Sequence, residues 1–164
     1  MSITLIGMPG CGKSTISKFI SEINKNYKLI ELDQIIEKIN NDTISNLIKK
    51  NGENSFGKLE EEAVLSITFD KPLIISTGGS VIYSEKGMEH LQNENNTIIY
   101  LFVEFETLSE RTDNFTNRGI IFNGLTPKEL FYSRHELYKK YSNKIINCVD
   151  LSIEEICQKV LKVN

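Results

Sequence analysis

Tryptophan is absent from this 164-residue chain, proline and cysteine occur three times each, and only three of its 19 basic residues are arginines. Each shortage excludes something. No run of eighteen apolar residues exists to form a membrane-spanning helix, and the opening MSITLIGMPG lacks the basic segment and long apolar stretch of a secretory signal. The chain is therefore expected in the cytoplasm. Cys11, Cys148 and Cys157 are odd in number and show no CxxC spacing, which argues against a disulfide framework or a zinc ribbon and for reduced thiols. A net charge of −3, with no basic tail and no aromatic-basic interleaving, argues against nucleic acid as a partner.

What is present has ordinary proportions: 40% hydrophobic and 25% charged residues, enough for one globular domain spanning 1–164 without staples. The three arginines, Arg111, Arg118 and Arg134, all fall in one stretch of the last third. Whatever needs a guanidinium fork rather than an ammonium point charge is expected there.

Strand and helix patterns alternate along the chain. Ile3 to Ile6 reads as a strand, followed by a Gly/Pro-rich turn and a helical pattern through Ile16, Phe19, Ile20 and Ile23. Tyr27 to Ile30 reads as a second strand ending in Glu31 and Asp33, with a helix from Ile35 to Ile39, and Ile44, Leu47 and Ile48 give a short helix stopped at Asn51-Gly52. A helix over Glu53 to Ile67, a strand at Leu73 to Ser76, a Ser84-capped helix to about Leu91 and a β-branched strand at Thr97 to Val103 follow. A short helix containing Leu108 ends near Arg111, and a mobile lid is expected over about 112–125. Thr126-Pro127-Lys128-Glu129 starts a helix to about Tyr141, Ile145 to Val149 is a strand, and Ser152 to Glu155 caps a terminal helix. Such alternation predicts an α/β fold: a five-stranded parallel sheet with helices on both faces and ligands at the carboxyl ends of the strands.

Gly7-Met8-Pro9-Gly10-Cys11-Gly12-Lys13-Ser14 matches G-x-x-x-x-G-K-[ST] and lies between a strand and a helix, the context this phosphate-binding loop requires. Backbone N–H groups of Gly7, Gly10, Cys11 and Gly12, with Lys13, Ser14 and Thr15 opening the helix, are expected to cradle the phosphates of ATP. Lys13 would reach the β- and γ-phosphates and the Ser14 hydroxyl would ligate Mg²⁺. No NKxD-type guanine-reading motif follows, which excludes a signalling GTPase, and the chain is too short for a motor or an ATPase with a lid domain. A small-molecule or nucleotide kinase remains.

The P-loop GMPGCGKST, the acidic strand end IELDQIIE, the segment GENSFGKLEEE, STGGS after the third strand, and RGII followed by RHELY run in register over the whole chain. Together they resemble the shikimate kinase family. The resemblance implies ATP-dependent phosphorylation of a hydroxyl on a small carboxylic acid, shikimate first, as a step of aromatic amino acid biosynthesis, by a monomer that needs no nucleic acid or membrane. Asp33 would contact the acceptor hydroxyl, and Glu31 stands where the family has an Asp that holds Mg²⁺ through water. Gly78 and Gly79 match the substrate loop, with Ser80 replacing its third glycine. Arg118 matches the arginine that the lid closes over the phosphates, Arg134 one that grips the substrate carboxylate, and Arg111 one that stacks on adenine.

The largest departure is Gly57, where the family has a second arginine for the shikimate carboxylate; Lys58 next to it is rotated by about 100° around a helix. Phosphate chemistry is expected intact and the grip on shikimate weakened. Another sugar acid, an amino alcohol or a nucleoside monophosphate stays open as acceptor, as does a non-catalytic nucleotide-binding module. Arg118-Gly119 replaces the family's Arg-Pro. Glu60-Glu61-Glu62 is expected as a solvated helix face, and His90 and His135 as surface residues.

Overall fold

The computed structural model describes residues 1–112, 115 and 120–163. Five strands, β1 (Ser2–Ile6), β2 (Lys28–Glu31), β3 (Leu73–Ser76), β4 (Asn96–Phe102) and β5 (Lys144–Asn147), form one sheet in the order β2-β3-β1-β4-β5 with every pair parallel. β1 and β3 are buried along their whole length, the condition of a central strand covered on both faces; the polar Ser2 and Thr4 of β1 are satisfied there by hydrogen bonds from the Leu73 amide and the Asn96 side chain.

Eight helices are present among the described residues: α1 (Lys13–Ile23), α2 (Leu32–Asn40), α3 (Ile44–Asn51), α4 (Glu53–Leu65), α5 (Glu85–Leu91), α6 (Phe105–Arg111), α7 (Pro127–Tyr141) and α8 (Ile153–Leu161). The predicted caps form. Thr126 and Ser152 each make a reciprocal capping box, with Glu129 and Glu155, and the Ser84 hydroxyl accepts the Gly87 amide at 2.9 Å.

The boundaries differ from the sequence reading where side chains intervene. β2 is shifted one residue later, and α2 starts at Leu32 rather than Ile35 because Glu31 serves as N-cap and the chain turns from strand to helix without a linker. Asp33 therefore lies in the first turn of α2, where the helix dipole favours its charge, and is not the cap. β5 ends at Asn147, whose side chain accepts the Val149 amide at 3.0 Å and turns the chain away.

The topology places the ligand site. From β1 the chain crosses over β3 to the sheet edge at β2, whereas from β3 it crosses β1 in the opposite direction to β4. With right-handed crossovers the two connections lie on opposite faces, α1 with α8 on one and α4, α5 and α7 on the other. A crevice opens between the carboxyl ends of β1 and β3, where the direction of winding reverses. Of the expected lid at about 112–125, residues 113–114 and 116–119, Arg118 among them, lie outside the described residues. The chain re-enters at Ile120 and turns at Asn123 (φ 51°) and Gly124 (φ 75°).

Candidate active site

A cleft of about 650 Å³ occupies that crevice, lined on one side by the P-loop and on the other by α2, α4 and the loop after β3. Gly10 (φ 85°) and Gly12 (φ 101°) hold left-handed backbone, and Gly12 caps α1 with no side-chain acceptor for its first-turn amides. Those amides fit a phosphate. Lys13 is buried, and its ammonium donates to the carbonyls of Gly7 at 2.7 Å and Met8 at 3.0 Å. Cys11 is buried, with Sγ 3.7 Å from the Lys13 ammonium, and Thr15 lies on the cleft wall. The Ser14 hydroxyl is 3.4 Å from that of Ser76 at the end of β3, so a hydroxyl pair stands where a phosphate-bound cation would need oxygen ligands.

The opposite wall is acidic. Asp33 and Glu60 both reach toward Gly78, where an added Cβ would lie 3.2 Å from Asp33 Oδ1 and would overlap Glu60 Oε1. A side chain here would have to displace the Glu60 carboxylate. Burial raises the Asp33 pKa; the Lys13 charge opposes this, while Glu37 and Glu31 add to it. Glu60 is pushed up to about 7, chiefly by burial; a hydrogen bond from Ser80 opposes the rise, the charge of Asp33 adds to it, and Arg134 and Lys13 oppose it. The expectation of a solvated Glu60-Glu61-Glu62 face is thus corrected. α4 turns Glu60 inward beside Phe56 and Ala63, Glu61 accepts the Ser84 hydroxyl at 2.6 Å, and only Glu62 is exposed.

Arg134 and Tyr138 project four residues apart from α7 onto the far side of Gly79. An added Cβ there would come within 3.0 Å of Arg134 Nη1 and of Pro9 Cδ, and the Tyr138 hydroxyl donates to the Gly79 carbonyl at 2.6 Å. Arg134 is 1% exposed; Nη2 donates to the Ile121 carbonyl at 2.7 Å, Nε to the Tyr83 hydroxyl at 3.2 Å, and the guanidinium stacks 5.3 Å from the Tyr83 ring.

Two sequence-expected residues stand apart from this group. Glu31 pairs with Lys18 at 3.3 Å, accepts from Gln34, and is not among the described residues lining the cleft. Arg111 is exposed at the end of α6, its charge acting on Cys148. His90 and His135 are half-buried rather than superficial. His90 Nε2 is hydrogen-bonded to the Ile67 carbonyl, and His135 Nδ1 to the Tyr100 hydroxyl beside Phe102 and Phe131. The sequence reading missed Glu60, Ser76 and Tyr138; the signal for Glu60 was its spacing of four from the buried Phe56, which puts both on one helix face.

A sequence model of the family described as shikimate kinase matches residues 9–164. The chain belongs to this family. Among its curated relatives, the shikimate kinase of Lactococcus lactis is 35% identical over 162 residues, covering 98% of this chain and 96% of the relative. That of Clostridium botulinum (strain Alaska E43) is 34% identical, covering 98% and 95%. Among solved structures, the shikimate kinase of Aquifex aeolicus superposes with a TM-score of 0.82 at 27% identity, covering 99% of this chain and 95% of the other. The Acinetobacter baumannii shikimate kinase in complex with shikimate gives 0.85 at 24% identity, covering 99% and 91%, and shares the fold. The protein is thus an ATP-using kinase with the P-loop α/β architecture expected from its sequence.

Proposed function

We propose that this enzyme transfers the γ-phosphoryl group of ATP to shikimate, giving shikimate 3-phosphate. The observation that supports it best is the convergence of the P-loop with Asp33, Gly78 and Gly79 on one cleft, in a chain of the shikimate kinase family. The phosphates of ATP lie along Gly7, Gly10, Cys11, Gly12, Ser14 and Thr15. Lys13 exchanges a P-loop carbonyl for a phosphate oxygen and stabilises charge on the transferring group. Asp33 orients the acceptor hydroxyl and accepts its proton. Gly78 and Gly79 let the acceptor approach the backbone, and Arg134 supplies a cation behind them for a carboxylate.

Magnesium, when bound, neutralises phosphate charge. Ser14 would hold it through its hydroxyl, and Glu31 would act on it through water. Arg118 closes with the lid of the 1–164 domain over the phosphates, and Arg111 stacks on adenine. Three buried free cysteines accord with an enzyme working in the reducing cytoplasm.

The test is ADP release by the purified protein with ATP, Mg²⁺ and a panel of shikimate, gluconate, homoserine and nucleoside monophosphates. Shikimate is expected to turn over fastest, and Lys13→Ala to lower kcat by at least about a hundredfold. Turnover of a nucleoside monophosphate without turnover of shikimate overturns the assignment.

A further inference from the structure

Tyr138 follows Arg134 by four residues on α7 and is fully buried, yet its one side-chain polar atom reaches the wall of the cleft. The phenol donates to the Gly79 carbonyl at 2.6 Å and stands 4.0 Å from Met8 Sδ in the P-loop. Gly79 is closed in on two other sides, an added Cβ lying 3.0 Å from both Pro9 Cδ and Arg134 Nη1. One hydroxyl therefore sets the direction of a peptide group held between the P-loop and α7.

Resting on the shikimate reading, we propose that Tyr138 is a positioning residue for phosphoryl transfer: by holding the Gly79 carbonyl toward α7, it aims the Ser80 amide into the cleft as a hydrogen-bond donor to the acceptor. In a planar trans peptide the carbonyl and the next residue's N–H point in opposite directions. The Gly79 carbonyl faces α7, so the Ser80 N–H faces away from it, toward the cleft that Ser80 lines. There it donates to no protein acceptor among the described residues. Glycine offers many backbone conformations at this peptide, and the phenol supplies the restraint that a side chain would otherwise give.

The phenol is itself held in place. Its ring packs against that of Tyr100, with centroids 4.9 Å apart and planes at 31°. Tyr100 in turn lies beneath the P-loop, 3.5 Å from where a Cβ on Gly7 would stand, and its hydroxyl is hydrogen-bonded to His135 Nδ1 at 3.0 Å. Burial pushes the Tyr138 pKa well above that of an ordinary phenol, more than the Arg134 cation lowers it, so the hydroxyl keeps its proton over the working pH range. A donor bound to one end of a peptide polarises the N–H at the other. Its effect thus falls on the acceptor and on the transfer step, whereas the phosphates of ATP rest on the P-loop amides.

The experiment compares the steady-state kinetics of Tyr138→Phe, which removes the hydroxyl and keeps the ring, with those of Tyr100→Phe, which removes the same group next door without touching Gly79. Tyr138→Phe is expected to raise the shikimate KM about tenfold and to lower kcat several-fold, with the ATP KM within about twofold of the wild type. Tyr100→Phe is expected to keep all three constants near those of the wild type, although both variants lose a buried hydrogen bond and melt lower. Should Tyr138→Phe fail to fold, the Tyr138 hydroxyl proton of the wild type is followed by NMR; shikimate is expected to shift its resonance downfield and ADP to leave it in place. Unaltered shikimate constants in Tyr138→Phe, an equal rise in Tyr100→Phe, or a hydroxyl resonance that ignores shikimate overturns the inference while leaving the kinase reading intact. No turnover of shikimate by the wild type overturns both.

Discussion

Arg134 donates from Nη2 to the carbonyl oxygen of Ile121 at 2.7 Å, so the cation behind Gly79 also anchors the chain just after Ile120. With Arg134 in the proposed role of carboxylate binder, substrate grip and loop position would be coupled through one guanidinium, which spends Nε on Tyr83 and presents Nη1 toward Gly79. A lysine has no such fork. Arg134→Lys is expected to raise the shikimate KM more than tenfold. It should also leave the Ile121 carbonyl and the Tyr83 hydroxyl poorly satisfied, at about 1–3 kcal/mol each, which a fall in Tm of several degrees would report. An unchanged Tm with a raised KM would mean that the loop contact is dispensable.

Glu53 ties the same loop from the other side. Its two carboxylate oxygens accept the amides of Phe122 at 2.8 Å and Asn123 at 3.0 Å, joining the first turn of α4 to the segment that precedes α7. Hydrogen bonds to a charged acceptor contribute about 1.5–3 kcal/mol. Glu53→Ala should therefore speed hydrogen exchange at the Phe122 and Asn123 amides by about tenfold or more, with the amides of β1 and β4 unaffected. Equal exchange in variant and wild type would remove Glu53 as the anchor.

Features governed by neighbours in sequence were legible before the fold was known. The P-loop, both capping boxes and the apolar strands depend on spacing alone, and they appear where expected. Asp33, Gly78 and Gly79 are singled out by the family resemblance, and the structure sets all three on the cleft wall. What could not be read depends on contacts across the fold. A run of three glutamates looks solvated, and only the packing of α4 against the loop after β3 turns the first of them inward to Ser80. Glu31 likewise is expected beside the metal by the family resemblance, but it pairs with Lys18 on α1 and is not among the described residues lining the cleft.

Burial of Glu60 makes stability depend on pH. In the unfolded chain Glu60 titrates near its ordinary 4.5, and in the folded chain near 7. Between these values the folded state holds a proton that the unfolded state has released, so stability falls as pH rises through this window and levels off above it. Glu60→Gln has nothing to release. The difference in urea midpoint between Glu60→Gln and the wild type should thus grow in favour of the variant from pH 5 to pH 8. A difference that is constant with pH would show that Glu60 ionises in the folded chain as readily as in the unfolded one.

Gly57 allows a cation to be added one turn before Glu60 on α4. An added Cβ meets nothing within 4 Å, and replacing a glycine inside a helix contributes up to about 1 kcal/mol, so Gly57→Arg should fold and melt slightly higher than the wild type. Three residues before Glu60 on α4, the guanidinium can pair with the Glu60 carboxylate, hold it ionised, and offer its remaining donors to the acceptor's carboxylate. The shikimate KM of Gly57→Arg is expected at least about tenfold below that of the wild type. A variant that folds but binds shikimate no better would place the acceptor's carboxylate away from α4 and leave Arg134 to hold it alone.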